Sequence, residues 1–311
     1  MIEVPEIVVE RVAASVGSVV TDNAATGVPL KTIEATGFAT RRSVPPGTTL
    51  FDLSMDAVRR LDGDDLADLG GVVVASFTQP DRFPALSVRL ASAIGLPPGV
   101  PAFDLQAACS AYPYSLYVAG RLAADTGRKV LLVDGDVQSS FTDQSDQATS
   151  PLFSDAATAT IVSSDSSSSA LSHFAFLHRH SDALTCPAGG PITMDGFGVF
   201  SFVAAEVTPF LINFLAEAAR SDSRKVDAFV PHQANMYMVR QLSRSLGLTD
   251  RLATSGEVFA NPGSCSIPLT IAHAGVSGRT LLAGFGAGLS ASAALVTVRD
   301  GAAVAPEKGD S

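Results

Sequence analysis

The sequence predicts an α/β protein made of two copies of one strand-and-helix unit, and three observations predict it. Short apolar runs of the kind found in buried strands alternate with segments of helical spacing. Two pairs of similar segments recur at one offset. VRLASAIGL (88–96) and VRQLSRSLGL (239–248) close on Gly95 and Gly247, 152 residues apart, while GRKVLLVDG and GRTLLAGFG open on Gly127 and Gly278, 151 apart. Finally, 46% of the 311 residues are hydrophobic and only 17% charged, with a mean hydropathy of +0.28. That balance calls for a large core and for further apolar surface buried between subunits.

Residues 8–20 read as a first strand with its turn, 36–41 (TGFATR) as a loop, and 49–61 as a helix with Leu50, Leu53, Ala57 and Leu61 on its apolar face. LGGVVVASF (69–77) is the unbroken apolar run of a strand buried on both faces. A loop with Pro80 and Pro84 leads to a helix over 85–94 closed by Gly95, and 102–105 read as a strand end. From Ser110 the chain is almost wholly apolar with helical spacing, which places that helix in the middle of the molecule. Pro113 fits there because the first helical turn has no use for its missing N–H. Residues 129–133 form another buried strand, so the alternation implies a largely parallel sheet covered by helices. The two halves are 1–165 and 170–311. Between them SSDSSSSALS (163–172) reads as an exposed connection, and the residues after Arg299 as a frayed tail.

A net charge of −10 with no long basic run excludes a nucleic-acid surface. An acidic partner would be met locally, best at Arg240 and Arg244 on one helical face, with Arg220, Arg224 and Lys225 nearby. No run of ~18 unbroken apolar residues calls for a membrane span. Glu3, Glu6 and Glu10 are wrong for a signal peptide, so the expected location is cytoplasmic. Three cysteines, an odd number, argue against a disulfide framework.

Cys109 stands where the strand 102–105 turns into the apolar helix. Free N–H groups and the positive end of a helix dipole there favour a thiolate, although free cysteines are more often inert and buried; Cys186 and Cys265 include at least one of that kind. His232, in VPHQAN (230–235), lies at a strand-to-helix junction, where α/β sheets place functional side chains. Asn261, in FANPGSCSIPL (259–269), is 152 residues beyond Cys109, the offset of the repeat, and is therefore its pseudo-symmetric mate. GFGAG (284–288) lets backbone N–H groups come close to a reacting oxygen, and lacks the pattern and the lysine of a phosphate loop. His173, His178, His180 and Cys186 match no zinc spacing, so no metal is expected.

At these residues the chain resembles the β-ketoacyl-ACP synthase III branch of the thiolase superfamily, from about Thr36 to Val298. TGFATR resembles the branch's TGI-x-x-R segment, AAC (107–109) its nucleophile turn, and FSDAATATIV (153–162) its FGDGAGA segment. VPHQAN is the most specific match, followed by the Asn261 loop and GFGAG. The resemblance implies a thiolase-like five-layer αβαβα fold from two duplicated halves, a homodimer, and no cofactor. It implies that Cys109 takes an acyl group from a thioester, with its own N–H and that of Ala287 as the oxyanion donors. His232 and Asn261 would hold the carbonyl of a malonyl thioester through decarboxylation, and the enolate would attack the acyl-cysteine. It further implies a substrate pocket with Phe153, Phe285 and Phe83, the last reaching across the dimer. Relatives that use acyl-CoA grip it with a tryptophan and arginines. This chain has no tryptophan, Ala35 and Gln147 stand at the arginine positions, and Tyr237 stands where relatives often carry an arginine for carrier-protein docking. That puts CoA binding in doubt and points to acyl carrier protein as partner, in specialised fatty acid or polyketide biosynthesis. The alternative from the same fold is an acyltransferase to a hydroxyl or amine, against which Asn261 in place of aspartate argues. A non-catalytic partner subunit is disfavoured by retention of Cys109.

Overall fold

The computed structural model describes residues 1–306. Strand β1 (Ile2–Val16) opens the chain. Helix α1 (Leu50–Arg59) is started by a capping box, Thr49 accepting from the Asp52 N–H and Asp52 from the Thr49 N–H. β2 (Gly71–Ala75), buried at every residue, is followed by α2 (Leu86–Ala93) and β3 (Ala102–Leu105). A single 3₁₀ turn, Ala108–Ser110, feeds α3 (Ala111–Thr126). β4 (Val130–Asp136), β5 (Ala156–Asp165) and β6 (Leu171–His178) complete the first part of the chain. α4 (Gly196–Ser221) is one long helix with a π turn at Val203–Val207. Then come β7 (Ala228–Pro231), α5 (Met236–Ser245), α6 (Ser266–Ala274), β8 (Gly278–Gly286), β9 (Ser290–Val298) and β10 (Ala303–Val304).

The strands run in the order β7-β8-β9-β6-β1-β5-β4-β2-β3, with β10 added beside β1. One plan is used twice. The order β3-β2-β4-β5-β1 matches Leu252-β7-β8-β9-β6, in which Leu252 pairs parallel with Phe229 of β7 as β3 pairs with β2. β2–β3, β2–β4 and β7–β8 are parallel. β4–β5, β5–β1, β8–β9 and β9–β6 are antiparallel. The sheet expected to be largely parallel is thus mixed. The links from β4 to β5 and from β8 to β9 carry no crossover helix, so the chain comes back antiparallel.

Side-chain alternation along the strands sorts the layers. In β4, Val130 and Leu132 face Tyr112 and Leu116 of α3 and Leu269 of α6, whereas Leu131 and Val133 face Leu53 of α1 and Leu90 of α2. In β8, Leu282 joins the first group, and Leu281, Ala283 and Phe285 pack on Phe202 and Leu211 of α4 and Leu242 of α5. The result is five layers, helix, sheet, helix, sheet, helix, with α3 and α6 as a central layer shared by both halves. Each large side chain buried there contributes ~1.5–3 kcal/mol.

Three expectations are corrected. Residues 36–41 are not all loop: a helix, Leu30–Thr36, runs into them, and Thr40–Ser43 is a strand paired with Val19–Asp22. That helix buries no residue, so it has no apolar stripe to read. Much of 163–172 is strand, with Ser163 to Asp165 ending β5 and Leu171 and Ser172 opening β6. Ala303 and Val304 are not frayed, since they pair with Val12 and Ala13; residues 307–311 lie outside the described residues. α4 is long and apolar enough by length and composition to cross a membrane, although polar residues interrupt it at Ser201, Glu206, Thr208 and Asn213. It lays Val199, Phe202, Val207, Leu211 and Phe214 on the second sheet and leaves Phe197 and Ile212 exposed on its other side.

Candidate active site

Cys109 and Asn261 arrive at the same place from corresponding segments of the two halves, but at different positions in them. The turn Ala108–Ser110 leads into α3, and Gly263–Cys265 leads into α6; the two turns pack on each other. The turns correspond at Ala108, φ 44°, and Gly263, φ 64°, so the counterpart of Cys109 is Ser264; Asn261, expected to be that mate, lies three residues earlier, after Ala260 at φ 53°. Such a conformation costs a residue with a Cβ about 1–3 kcal/mol and persists only where the surroundings impose it. The end of β8 closes the site from above. A Cβ on Gly286 would stand 2.7 Å from the Cys109 Cβ, and one on Gly284 would stand 2.8 Å from the Ser110 Cα. Only glycine permits this approach, which sets the Ala287 N–H against the Cys109 sulfur.

Burial decides the state of the cysteine. Cys109 is buried, which together with the nearby Asp136 carboxylate pushes its thiol up to about 12, against the pull of the Ala287 and Cys109 N–H groups on the sulfur. The thiolate expected from the helix dipole is therefore overruled in the free site. Asp136 itself, raised to about 6 by burial, accepts from the N–H groups of Phe77 and Ser264 and from the Ser76 hydroxyl. It ties the end of β4 to the loops on both sides of the seam. Alkylation of Cys109 by iodoacetamide, followed by peptide-resolved mass spectrometry, should accelerate about tenfold per pH unit from pH 7 to pH 10 with no plateau. A plateau below pH 8 would contradict this balance.

His232 is one residue past β7, its N–H held by the Ala283 carbonyl at 2.8 Å. It is 1% exposed, and burial lowers it to about 3, so the ring is neutral. Its Nδ1 lies 2.6 Å from the Ser266 Oγ, and the ring meets Phe285 edge-on at 5.5 Å. Asn261, 5% exposed, accepts the Gly263 N–H on its Oδ1 at 3.0 Å. Its amide NH2 is left as the free end. Its backbone is clamped on three sides: its N–H donates to the Leu152 carbonyl, and its carbonyl accepts from the Ser154 N–H and the Gln138 side chain.

Two cavities meet at the sulfur. One contains Cys109, His232, Asn261, Phe153 and Phe285. The other, about 130 Å³, is lined by Cys109, Phe153, Ala287, Cys186 and Ile192. Leu184 and Phe153 line both. The expected site residues thus come together, with one exception. Phe83 is 84% exposed on the loop before α2 and lines neither cavity. His173 bonds the Ser221 hydroxyl instead of joining His178, His180 and Cys186, and among the described residues no group of three or more His, Cys, Asp or Glu could hold a metal. Cys265 is buried with its thiol on the Pro262 carbonyl, an inert packing cysteine. Arg240 is paired with Glu257 at 3.0 Å. Ala35, Gln147 and Tyr237 are all exposed. Sequence reasoning missed Ser266, Gln138 and Asp136. The signal for Asp136 was a carboxylate inside an otherwise apolar strand.

Comparison with known proteins shows the family and the fold. The family model 3-oxoacyl-[acyl-carrier-protein (ACP)] synthase III matches residues 103–179, and its C-terminal counterpart matches residues 216–298. The chain is 34% identical over 287 residues to β-ketoacyl-[acyl-carrier-protein] synthase III 2 of Streptomyces coelicolor, covering 84% of this chain and 83% of that one. A 3-oxoacyl-(acyl-carrier protein) synthase from Burkholderia xenovorans superposes with a TM-score of 0.89 at 26% identity, covering 98% of this chain and 97% of that one. The priming β-ketosynthase of a polyketide biosynthetic pathway superposes with a TM-score of 0.83 at 27% identity, covering 96% and 98%.

Proposed function

We propose that this chain, which belongs to the 3-oxoacyl-[acyl-carrier-protein] synthase III family, joins a cysteine-bound acyl group to a malonyl thioester by decarboxylative Claisen condensation. The observation that carries the reading is the meeting of a cysteine, a neutral histidine and a free amide NH2 in one cavity. The Cys109 sulfur attacks the carbonyl of an acyl thioester, and the N–H groups of Cys109 and Ala287 take the developing oxyanion. The donor's thiolate leaves and gains the proton that Cys109 gives up. The malonyl thioester then loses CO2. The electrons of the broken C–C bond pass into an enolate whose oxygen is held by His232 and Asn261, two neutral donors suited to an anion. The enolate carbon attacks the acyl carbonyl, the C–S bond to Cys109 breaks, and a β-ketoacyl thioester departs. Phe153 and Phe285 line the pocket, and the free Asn261 amide favours this reaction over acyl transfer to an alcohol or amine.

We read the donors as acyl and malonyl groups on acyl carrier protein, in fatty acid or polyketide biosynthesis in the cytoplasm. Exposed Ala35 and Gln147 offer no guanidinium to a nucleotide. The halves divide at the turn between β5 and β6, giving 1–165 and 170–311. Intact-mass spectrometry tests the reaction. An acyl adduct formed from acyl-carrier protein, and discharged with CO2 release by malonyl-carrier protein, is the expected result; discharge only by an alcohol or amine would overturn it.

We infer a homodimer, and the open edge of the sheet supports it. Among the described residues β3 has one neighbour, β2, and Phe103 on it is exposed, as are Phe83 in the loop that precedes α2 and Val88 on α2. An uncovered apolar edge is a template for its own copy across a two-fold axis, and such a pairing supports the reading that Phe83 serves the partner's site. Phe103→Asp is expected to sediment as a monomer. A dimer of unchanged affinity would remove this edge from consideration.

A further inference from the structure

We propose that Ser266 is a positioning residue that fixes the tautomer of His232, its hydroxyl donating to Nδ1 so that the single ring proton sits on Nε2. This deepens the reading above and rests on it, because an enolate can be held only by an imidazole nitrogen that carries hydrogen.

The neutral ring has one N–H, on either nitrogen. The Ser266 hydroxyl lies 2.6 Å from Nδ1 in a site where neither side chain meets solvent. Its oxygen also receives the Gln233 N–H at 3.4 Å. With that donor on the oxygen, the hydroxyl hydrogen needs an acceptor. Serines and threonines in helices often use a carbonyl one turn back, as Ser115 and Thr270 do, but the Ser266 Oγ is directed to Nδ1 and the Gln233 N–H instead. Among the described residues, Nδ1 is the acceptor within its reach. A proton on Nδ1 would instead strand the serine hydrogen in a buried site, a penalty of ~1–3 kcal/mol. Among the described residues Nε2 has no hydrogen-bond partner, and the ring borders the cavity that also holds Cys109 and Asn261. α6 thereby has a second use. Its first residue orients the catalytic ring from behind, while the loop leading into it carries Asn261.

The test needs no variant to begin. In wild type labelled with ¹⁵N-histidine, His232 should show a protonated Nε2 and an unprotonated Nδ1; the opposite pattern overturns the proposal whether or not the protein is a condensing enzyme. Ser266→Ala should give a mixture of tautomers and slow decarboxylation of malonyl-carrier protein on the order of tenfold, as loss of an orienting partner does. Its rate of Cys109 acylation should stay within twofold of wild type, and Ser266→Thr, which keeps the hydroxyl, should restore decarboxylation. An unchanged tautomer and rate in Ser266→Ala, or an equal loss of acylation, would sink it. If Ser266→Ala does not fold, the wild-type spectrum and Ser266→Thr still decide. Wild type that never decarboxylates malonyl thioesters would refute the proposed reaction while leaving the tautomer assignment to the spectrum.

Discussion

Cys109→Ala is expected to form no acyl adduct from any thioester and to condense at less than about one-thousandth of the wild-type rate, because no other group at the site can take the acyl chain. Cys186 lines the adjoining cavity, but the Cys109 and Ala287 N–H groups lie at the Cys109 sulfur. The variant should keep its fold, since alanine fits within the buried space left by cysteine. It should also keep decarboxylating malonyl-carrier protein, because His232 and Asn261 do not depend on the sulfur for their hydrogen bonds. Release of CO2 without a condensed product, measured beside the intact mass, is the signature. An adduct on the alanine variant would move the nucleophile elsewhere.

Asn261→Asp should have the opposite pattern, loading Cys109 normally while losing decarboxylation. The new carboxylate can still accept the Gly263 N–H, and the ties to Leu152, Ser154 and Gln138 use the backbone, so the loop should stay in place. What changes is the free end, where an NH2 donor becomes an acceptor bearing negative charge. Loss of one preorganised donor slows reactions of this kind ~10²–10³-fold, and a negative group facing an enolate adds to that. Stopped-flow loading and CO2 release would separate the two steps. A decarboxylation rate within threefold of wild type would exclude Asn261 from holding the enolate.

Part of this site could be read in the chain because the duplication brings two helix-opening turns together. The offset of 152 leads to Asn261, three residues short of the true counterpart of Cys109, because the turns themselves start at Ala108 and Gly263. The apolar run from Ser110 is visible because α3 is buried between two sheets. Strand direction was hidden. It depends on whether a link contains a helix, and the long link between β4 and β5 gives no sign that the chain will reverse. The ionisation of Cys109 was misjudged because the dipole is a local feature of sequence, whereas burial and Asp136 are supplied by distant segments. Ser266 was passed over for a related reason. In SCSIPL it is one more small polar residue at a helix start, and only the fold brings it to His232, 34 positions away.

β1 has a consequence for the order in which the protein is built. This first strand pairs with β5 and β6 and also with β9 and β10, out to Val298 and Val304. Synthesis is vectorial, and at ~5–20 residues per second the ribosome needs on the order of 15–60 s to travel from one end of such a chain to the other. Throughout that time the N-terminal strand lacks part of its native pairing. The nascent protein therefore cannot complete the pairing of β1 before β9 and β10 are made, and a truncation ahead of Ser290 would be felt at Ile2–Val16, the strand that opens the chain.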